Sequence, residues 1–344
     1  MTTMERVDPA RTTAGAPLLS VEGFSLDLAP GRDYLPVLND VSLTVEAGEV
    51  VGLVGESGSG KSTLAMSLMG LVPKRISRQR GGRILFNGVD VTALRERELR
   101  SIRGSQMGMI FQEPMTALDP AYRVGDQVAE VIRRHRGVSR AEARAQVIED
   151  FRLVEISDPE RRADAYPHEL SGGLRQRVCI AMAIACRPTL LIADEPTTAL
   201  DVTTQAQILD LLRRLRAEMD MSIVLISHDL AVIAEFCDRV MVMYAGQIME
   251  QAPIDPFFVR PRHPYASALL QALPENQPPL QELSVLPGSP PPLGYVAPGC
   301  RFAARCDFVE PGRCDVAPVP LQPLGGGSVR CVRAEELELP GAGR

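Results

Sequence analysis

Tryptophan is absent from this chain, and aromatic residues make up only 4% of it. Its core must therefore rest on Leu, Val, Ile, Ala and Met, which the 45% hydrophobic content supplies. No apolar run approaches the roughly eighteen residues of a membrane-spanning helix. Residues 1–17 lack the apolar centre of a secretion signal and read as a flexible leader rich in Thr, Ala and Pro. A cytosolic protein is expected, or one held at a membrane by its partners. An excess of positive charge is also missing. Lys and Arg number 37 against 43 Asp and Glu, a net charge of −6, which argues against a dedicated nucleic-acid binder, and no nucleic-acid partner is expected. The 7 cysteines include no C-x2-C pair of the kind a common zinc ribbon uses. No internal repeat is visible. The length suits one large domain with an extension, or two domains.

What is present is a set of nucleotide-site motifs. Gly55-Glu56-Ser57-Gly58-Ser59-Gly60-Lys61-Ser62 has the pattern of a phosphate-binding loop, and Thr63 continues it. The apolar run Glu49 to Val54 precedes it as a short buried strand, and Lys61 to Gly70 follows as a helix. Glycines let the backbone curl until several N–H groups face phosphate oxygens. The helix N-terminus adds the positive end of its dipole. Lys61 offers a point charge to the β- and γ-phosphates, and Ser62 offers a hydroxyl ligand to Mg²⁺.

A second apolar strand, Thr189 to Ala193, runs into Asp194-Glu195. Two carboxylates at a strand end suit a Mg²⁺-binding group (Asp194) and a general base for water (Glu195). A solvated acidic turn gives the same local pattern, and the phosphate loop upstream argues against it. His228 lies just beyond a third strand, Met221 to Ile226. It is placed to hydrogen-bond a terminal phosphate, although a lone His is more often structural. Ser227-His228-Asp229 is not a hydrolase triad, because adjacent residues cannot converge on one another. Ser171-Gly172-Gly173 opens a helical run, Leu174 to Cys186, that also contains Gln176. Ser171 reads both as an ordinary N-cap and as part of an anion site.

In this order the motifs resemble an ATP-binding cassette (ABC) ATPase. The resemblance implies an α/β P-loop NTPase fold: an ABC-type nucleotide-binding domain with a RecA-like core, an antiparallel β subdomain and an α-helical subdomain. ATP and Mg²⁺ are the implied substrate and cofactor. Gln112, after the strand ending Met109-Ile110-Phe111, becomes the Q-loop glutamine that reaches Mg²⁺ and the attacking water, and His228 becomes the switch histidine. Ser171, Gly172, Gly173 and Gln176 form a signature that caps ATP held by a partner cassette, and Asp201 belongs to the D-loop across that interface. The family's usual spacing puts the adenine-stacking aromatic at or near Arg32. That residue is not aromatic, so Tyr34 is the nearest candidate.

Composition changes from Pro253 onward, where prolines cluster and helix signals are few. The expected division is a leader (1–17), a cassette (18–255, with its helical subdomain at about 113–187) and an extension (256–344). Cys179, Cys186 and Cys237 lie in apolar surroundings and read as core. Cys300, Cys306, Cys314 and Cys331 lie in the extension. Four thiolates suit Zn²⁺ or an iron–sulfur cluster, and spacing alone does not choose. Gly299 to Cys306, Arg262-His263-Pro264-Tyr265-Ala266 and Glu113 to Pro120 resemble the oligopeptide/dipeptide importer ATPases. That likeness implies a [4Fe–4S] cluster at the four cysteines, with Zn²⁺ as the alternative. His263 reads as part of a structural His-Pro-Tyr turn.

The resemblance further implies a peripheral protein on the cytoplasmic face of the inner membrane. Its partners would be two transmembrane permease subunits, a second ABC ATPase subunit (identical or related) and an extracytoplasmic solute-binding protein. Rival readings are an ATPase of a nickel, glutathione or other solute importer, an exporter ATPase, and a soluble ABC ATPase of translation or DNA repair.

Overall fold

The structure is a computed structural model that describes residues 16–113, 117–198, 200–273 and 286–342. Part of the expected leader, Pro114 to Thr116 beside the Q-loop and Ala199 of the D-loop lie outside the described residues. Strands β1 (Leu19–Leu28), β2 (Leu35–Val45), β4 (Ser77–Phe86) and β5 (Val89–Asp90) form an antiparallel sheet in the order β2-β1-β4-β5. Asn87-Gly88 makes the turn of the β4–β5 hairpin. Both turn residues have positive φ, 49° and 75°, as a two-residue hairpin turn requires.

A second, mixed sheet of eight strands carries the site. Its centre is β3 (Val50–Val54), flanked by β8 (Ser222–Ile226) and β9 (Arg239–Tyr244), both parallel to it. Strands β7 (Leu190–Asp194) and β6 (Met107–Ile110) extend the parallel part. Every residue of β3, β7 and β8 is buried, as expected of strands covered on both faces. One apolar layer fills the space between the two sheets, with Leu19, Leu38, Leu53 and Met243 among its members. The other lies on the opposite face, under the helices.

Helix α1 (Lys61–Leu68) leaves the carboxyl end of β3, and α2 (Glu96–Ile102) follows the hairpin. The stretch between β6 and β7 is helical: α3 (Val124–Arg136), α4 (Arg140–Leu153), the single turn α5 (Pro159–Arg162) and α6 (Gly172–Ile184). Val124, Val128 and Ile132 make the buried stripe of α3, and Gly137 ends it in a left-handed conformation. Ser139 and Glu142 cap the start of α4 reciprocally. Helix α7 (Val202–Met219) precedes β8, and α8 (Leu230–Phe236) follows it.

The region after Pro253 is knitted into the body. Strand β10 (Gln247–Pro253) pairs antiparallel with β9, and helices α9 (Ile254–Val259) and α10 (Pro264–Gln271) follow. Two short strands of this region, β11 (Gln322–Leu324) and β12 (Gly327–Val329), widen the central sheet beside β10. Arg330 is buried and ties this edge down, donating to the carbonyls of Ile248 and Val319 and pairing with Asp40 at 3.1 Å. Among the described residues no helix is long and apolar enough to cross a membrane.

Candidate active site

The loop between β3 and α1 turns at Gly55, whose φ is 151°. A Cβ at that position would stand 2.1 Å from the carbonyl oxygen of Met243, so the loop seats directly on the end of β9. The first N–H groups of α1 have no partner within the helix and face the loop's mouth by helix geometry. Lys61 starts the helix and folds back, its ammonium donating to the carbonyls of Gly55 (2.8 Å) and Glu56 (3.1 Å). Burial holds its pKa below the ordinary lysine value, while Glu195, Asp194 and Glu56 pull the other way. Ser59 Oγ is buried and has no hydrogen-bond partner among the described residues.

Asp194 ends β7 beside this loop. Burial pushes its pKa up, and a hydrogen bond from the Ser62 hydroxyl opposes that shift. Its Oδ1 is buried without a partner among the described residues. A buried carboxylate with one free oxygen, next to a serine hydroxyl, is a donor set that fits Mg²⁺.

Three of the residues picked from the sequence come together at one atom. Glu195 Oε2 accepts from Gln112 Nε2 at 3.1 Å and lies 3.4 Å from His228 Nδ1. Thr198, three residues before Asp201, donates its hydroxyl to the same oxygen at 2.8 Å. Glu195 sits at φ 49°, a left-handed conformation that costs a residue with a Cβ about 1–2 kcal/mol. Its backbone N–H donates to the Ile226 carbonyl at 3.0 Å, which aims the side chain along the carboxyl ends of β7 and β8.

Ser171 is the N-cap of α6, its hydroxyl accepting from the Leu174 N–H. A Cβ on Gly173 would stand 3.1 Å from Cγ2 of Thr204, so the Ser171-Gly172-Gly173 turn lies against the first turn of α7. Asp201 caps that turn, accepting from the N–H and hydroxyl of Thr204. Gln176 is 1% exposed and donates to the Pro196 carbonyl at 2.6 Å, within its own chain. Tyr34 is 40% exposed, and the Arg78 guanidinium lies 4.8 Å from its ring centre.

Cys300, Cys306, Cys314 and Cys331 are all free thiols and line one small cavity together with His263. Burial pushes the Cys300 thiol up to about 12 and Cys306 up to about 11. Each sulfur meets a backbone N–H. Cys314 accepts from Glu310 and Cys331 from Arg333, both at 3.4 Å, while Phe302 and Phe308 serve Cys300 and Cys306. Such donors are the usual surroundings of metal-bound thiolates. Among the described residues no group of three or more His, Cys, Asp or Glu side chains is arranged to hold a metal ion.

The ABC transporter family matches residues 38–198, and the oligopeptide/dipeptide transporter C-terminal region matches residues 249–314. A Brucella abortus protein named "Putative peptide import ATP-binding protein" is 50% identical over 317 residues, 92% of this chain and 95% of the relative. The chain belongs to the ATP-binding subunits of the oligopeptide/dipeptide ABC transporters. A "Probable peptide ABC transporter ATP-binding protein" of Sinorhizobium fredii is 48% identical over 93% of this chain and 96% of its own length. Among solved structures, a dimeric ATP-binding cassette in a post-hydrolysis state with ADP and Pi superposes with a TM-score of 0.62. It shares 30% identity over 69% of this ATPase and 98% of that chain. A component of an ABC transporter complex from Clostridium perfringens gives 0.60 at 28% identity, over 70% of this ATPase and 90% of that chain. The cassette fold and ATP hydrolysis follow from this membership.

Proposed function

We propose that this ATPase powers a bacterial importer of oligopeptides or dipeptides, working beneath two partner permeases on the cytoplasmic face of the inner membrane. The observation that carries the reading is the order of the two family matches in one chain, cassette first and peptide-transporter C-terminal region second. The names of the relatives point the same way.

In this reading Gly55 and Ser57 to Thr63 cradle the phosphates, with Lys61 turning from its loop carbonyls to the β- and γ-oxygens. Ser62, Asp194 and Gln112 would hold Mg²⁺, which supplies charge neutralisation at the phosphates. Glu195 takes a proton from water as the water oxygen bonds to the γ-phosphorus. The bond from that phosphorus to the β–γ bridging oxygen breaks, and ADP leaves with Pi. Gln112 and Thr198 fix the base, and His228 contacts the γ-phosphate. Tyr34 is the adenine contact. Ser171, Gly172, Gly173 and Asp201 close over ATP held by a second cassette. Gln176 acts behind them, tying the signature helix to the loop after Glu195.

Closure would move the permeases through a groove of about 250 Å³ that is lined by Phe111, Ala117, Val131 and Met182. Phe111 is 44% exposed at its edge, as a docking surface needs. A solute-binding protein outside the membrane would deliver cargo. The extension, residues 256–344, would hold a [4Fe–4S] cluster on Cys300, Cys306, Cys314 and Cys331, with Zn²⁺ as the alternative. The four sulfurs around one cavity, each with an N–H donor, support that assignment.

The test is anaerobic purification of the membrane-extracted complex, with subunits identified by mass spectrometry and iron, sulfide and zinc assayed on the same sample. Two permeases, a second cassette and about four irons per chain are expected. Co-purification with ribosomes or DNA would overturn the transport reading. Metal-free thiols, or one zinc, would overturn the cluster alone.

A further inference from the structure

The four-cysteine unit and the phosphate loop touch through two arginines that stand between the first two cysteines. Cys300 and Cys306 bracket Arg301 and Arg305, and the short helical turn Ala303–Arg305 aims the second of these inward. Arg305 grips Glu56, the second residue of the phosphate loop, with both ends of its guanidinium. Nη1 donates to Oε2 at 2.6 Å and Nη2 to Oε1 at 3.0 Å. The Arg305 side chain is 7% exposed, so the pair is shielded from water. Its Nε donates to the Pro287 carbonyl at 2.8 Å, and Nη1 also reaches the Tyr244 hydroxyl at 3.4 Å.

The backbone of Glu56 is held as well. Its N–H donates to the hydroxyl of Tyr265, from the His-Pro-Tyr turn, at 2.9 Å. Arg301 donates to the carbonyl of Ala245, and the next residue, Gly246, donates its N–H to the Ser59 carbonyl at 2.8 Å. Phe302, buried between the arginines, packs on Tyr244 and Tyr265 at ring separations of 5.3 and 5.2 Å. The loop is thus braced at Glu56 by Arg305, 249 positions later, and by Tyr265, 209 positions later, and at Ser59 by Gly246, next to the carbonyl that Arg301 holds.

We propose that Arg305 is a positioning residue for ATP binding: through Glu56 it keeps the phosphate loop curled, so the four-cysteine extension sets the cassette's affinity for nucleotide. A bidentate guanidinium–carboxylate pair sheltered from water fixes geometry better than an exposed one. A loop ordered before binding spends less binding energy on its own immobilisation. Arg305 touches no reacting atom in this arrangement. Its loss acts on affinity and leaves the turnover of a saturated site in place. The inference rests on the phosphate-loop reading of residues 55–62.

The test is equilibrium binding of Mg·ATP and steady-state ATPase on the full chain, for wild type, Arg305→Ala, Arg305→Lys, Glu56→Gln and the double variant Arg305→Ala/Glu56→Gln. Lys61→Ala is the reference for a lost phosphate contact. Arg305→Ala and Glu56→Gln are each expected to raise Kd and KM about tenfold, equivalent to ~1.4 kcal/mol, with kcat within about twofold. The double variant is expected to match the single ones, because both remove the same brace, and Arg305→Lys to recover part of the affinity. Unchanged Kd in Arg305→Ala while Lys61→Ala loses ATP overturns this proposal alone. So does a double variant whose effects multiply, or a fall in kcat at constant Kd. Undiminished ATP binding by Lys61→Ala overturns the phosphate-loop reading and this proposal with it. If Arg305→Ala does not fold, Glu56→Gln and Arg305→Lys carry the same comparison.

Discussion

Gln112 and Glu195, 83 residues apart, meet in a 3.1 Å hydrogen bond from the glutamine Nε2 to the glutamate Oε2. The bond spans the carboxyl ends of β6 and β7, neighbours in the parallel sheet. Thr198 donates to the same oxygen, so Gln112 and Thr198 restrain the side chain from two sides. The general base proposed at Glu195, held this way, keeps its geometry when its charge is removed. Glu195→Gln should therefore bind ATP normally, lower kcat about a hundredfold or more and accumulate as an ATP-bound dimer. Turnover and size-exclusion chromatography with Mg·ATP check this. Normal turnover would remove Glu195 from the role of base.

His228 shares that oxygen but stands largely in solvent, its side chain 67% exposed. Its surroundings give it almost nothing to stabilise in the resting chain. His228→Ala should change unfolding stability by no more than about 0.5 kcal/mol while lowering kcat on the order of a hundredfold. Thermal unfolding beside ATPase assays separates the two effects. A large loss of stability would return His228 to the structural role that lone histidines usually have.

Gln176 shows the reverse. It is buried, and its amide bridges α6 to the Pro196 carbonyl, one residue past Glu195. Gln176→Ala should cost about 1–3 kcal/mol by leaving that carbonyl unpaired, and should slow turnover by loosening the loop that carries the base. Unaltered stability with a defect seen only in dimer closure would mean that Gln176 works across the interface.

The strands and helices around the motifs were legible within a residue or two because each is locally determined. Val50 to Val54, Leu190 to Asp194 and Ser222 to Ile226 are short apolar runs bounded by turn residues. Helix α3 ends on the left-handed Gly137, and α4 and α6 start on the capping serines Ser139 and Ser171. The meeting of Gln112, Glu195 and His228 depends on strand order, which short motifs do not encode. The grip of Arg305 on Glu56 was illegible for the same reason: nothing near either residue names a partner 249 positions away. Burial of Gln176 was hidden because a glutamine two positions past a Ser-Gly-Gly-Leu turn looks the same whether it faces solvent or a carbonyl.

Glu250 gives the fold a pH dependence of definite sign. Its carboxylate accepts from the backbone N–H of Arg262 (2.9 and 3.0 Å) and of His263 (2.7 Å), which sets the His-Pro-Tyr turn against β10. Burial pushes its pKa up to about 7, with those N–H donors acting in the opposite direction. An unfolded glutamate titrates at about 4.3. The folded chain therefore binds this proton more tightly than the unfolded chain does. The stability it contributes is complete below about pH 4.3 and is lost as pH rises through 7, a swing on the order of 3 kcal/mol. His263, held down to about 3 by burial, has the opposite sign. Its contribution is complete above about pH 6.5 and is lost as pH falls toward 3. The two oppose each other from about pH 4.5 to 6.5, so a wild-type melting curve alone would hide both. Glu250→Gln separates them, because glutamine keeps an oxygen for the two N–H groups and removes only the titration. The Tm of Glu250→Gln should gain steadily on wild type from about pH 5 to pH 7 and then hold its lead to pH 8. Parallel Tm curves across that range would mean that Glu250 keeps an ordinary carboxylate pKa inside the fold.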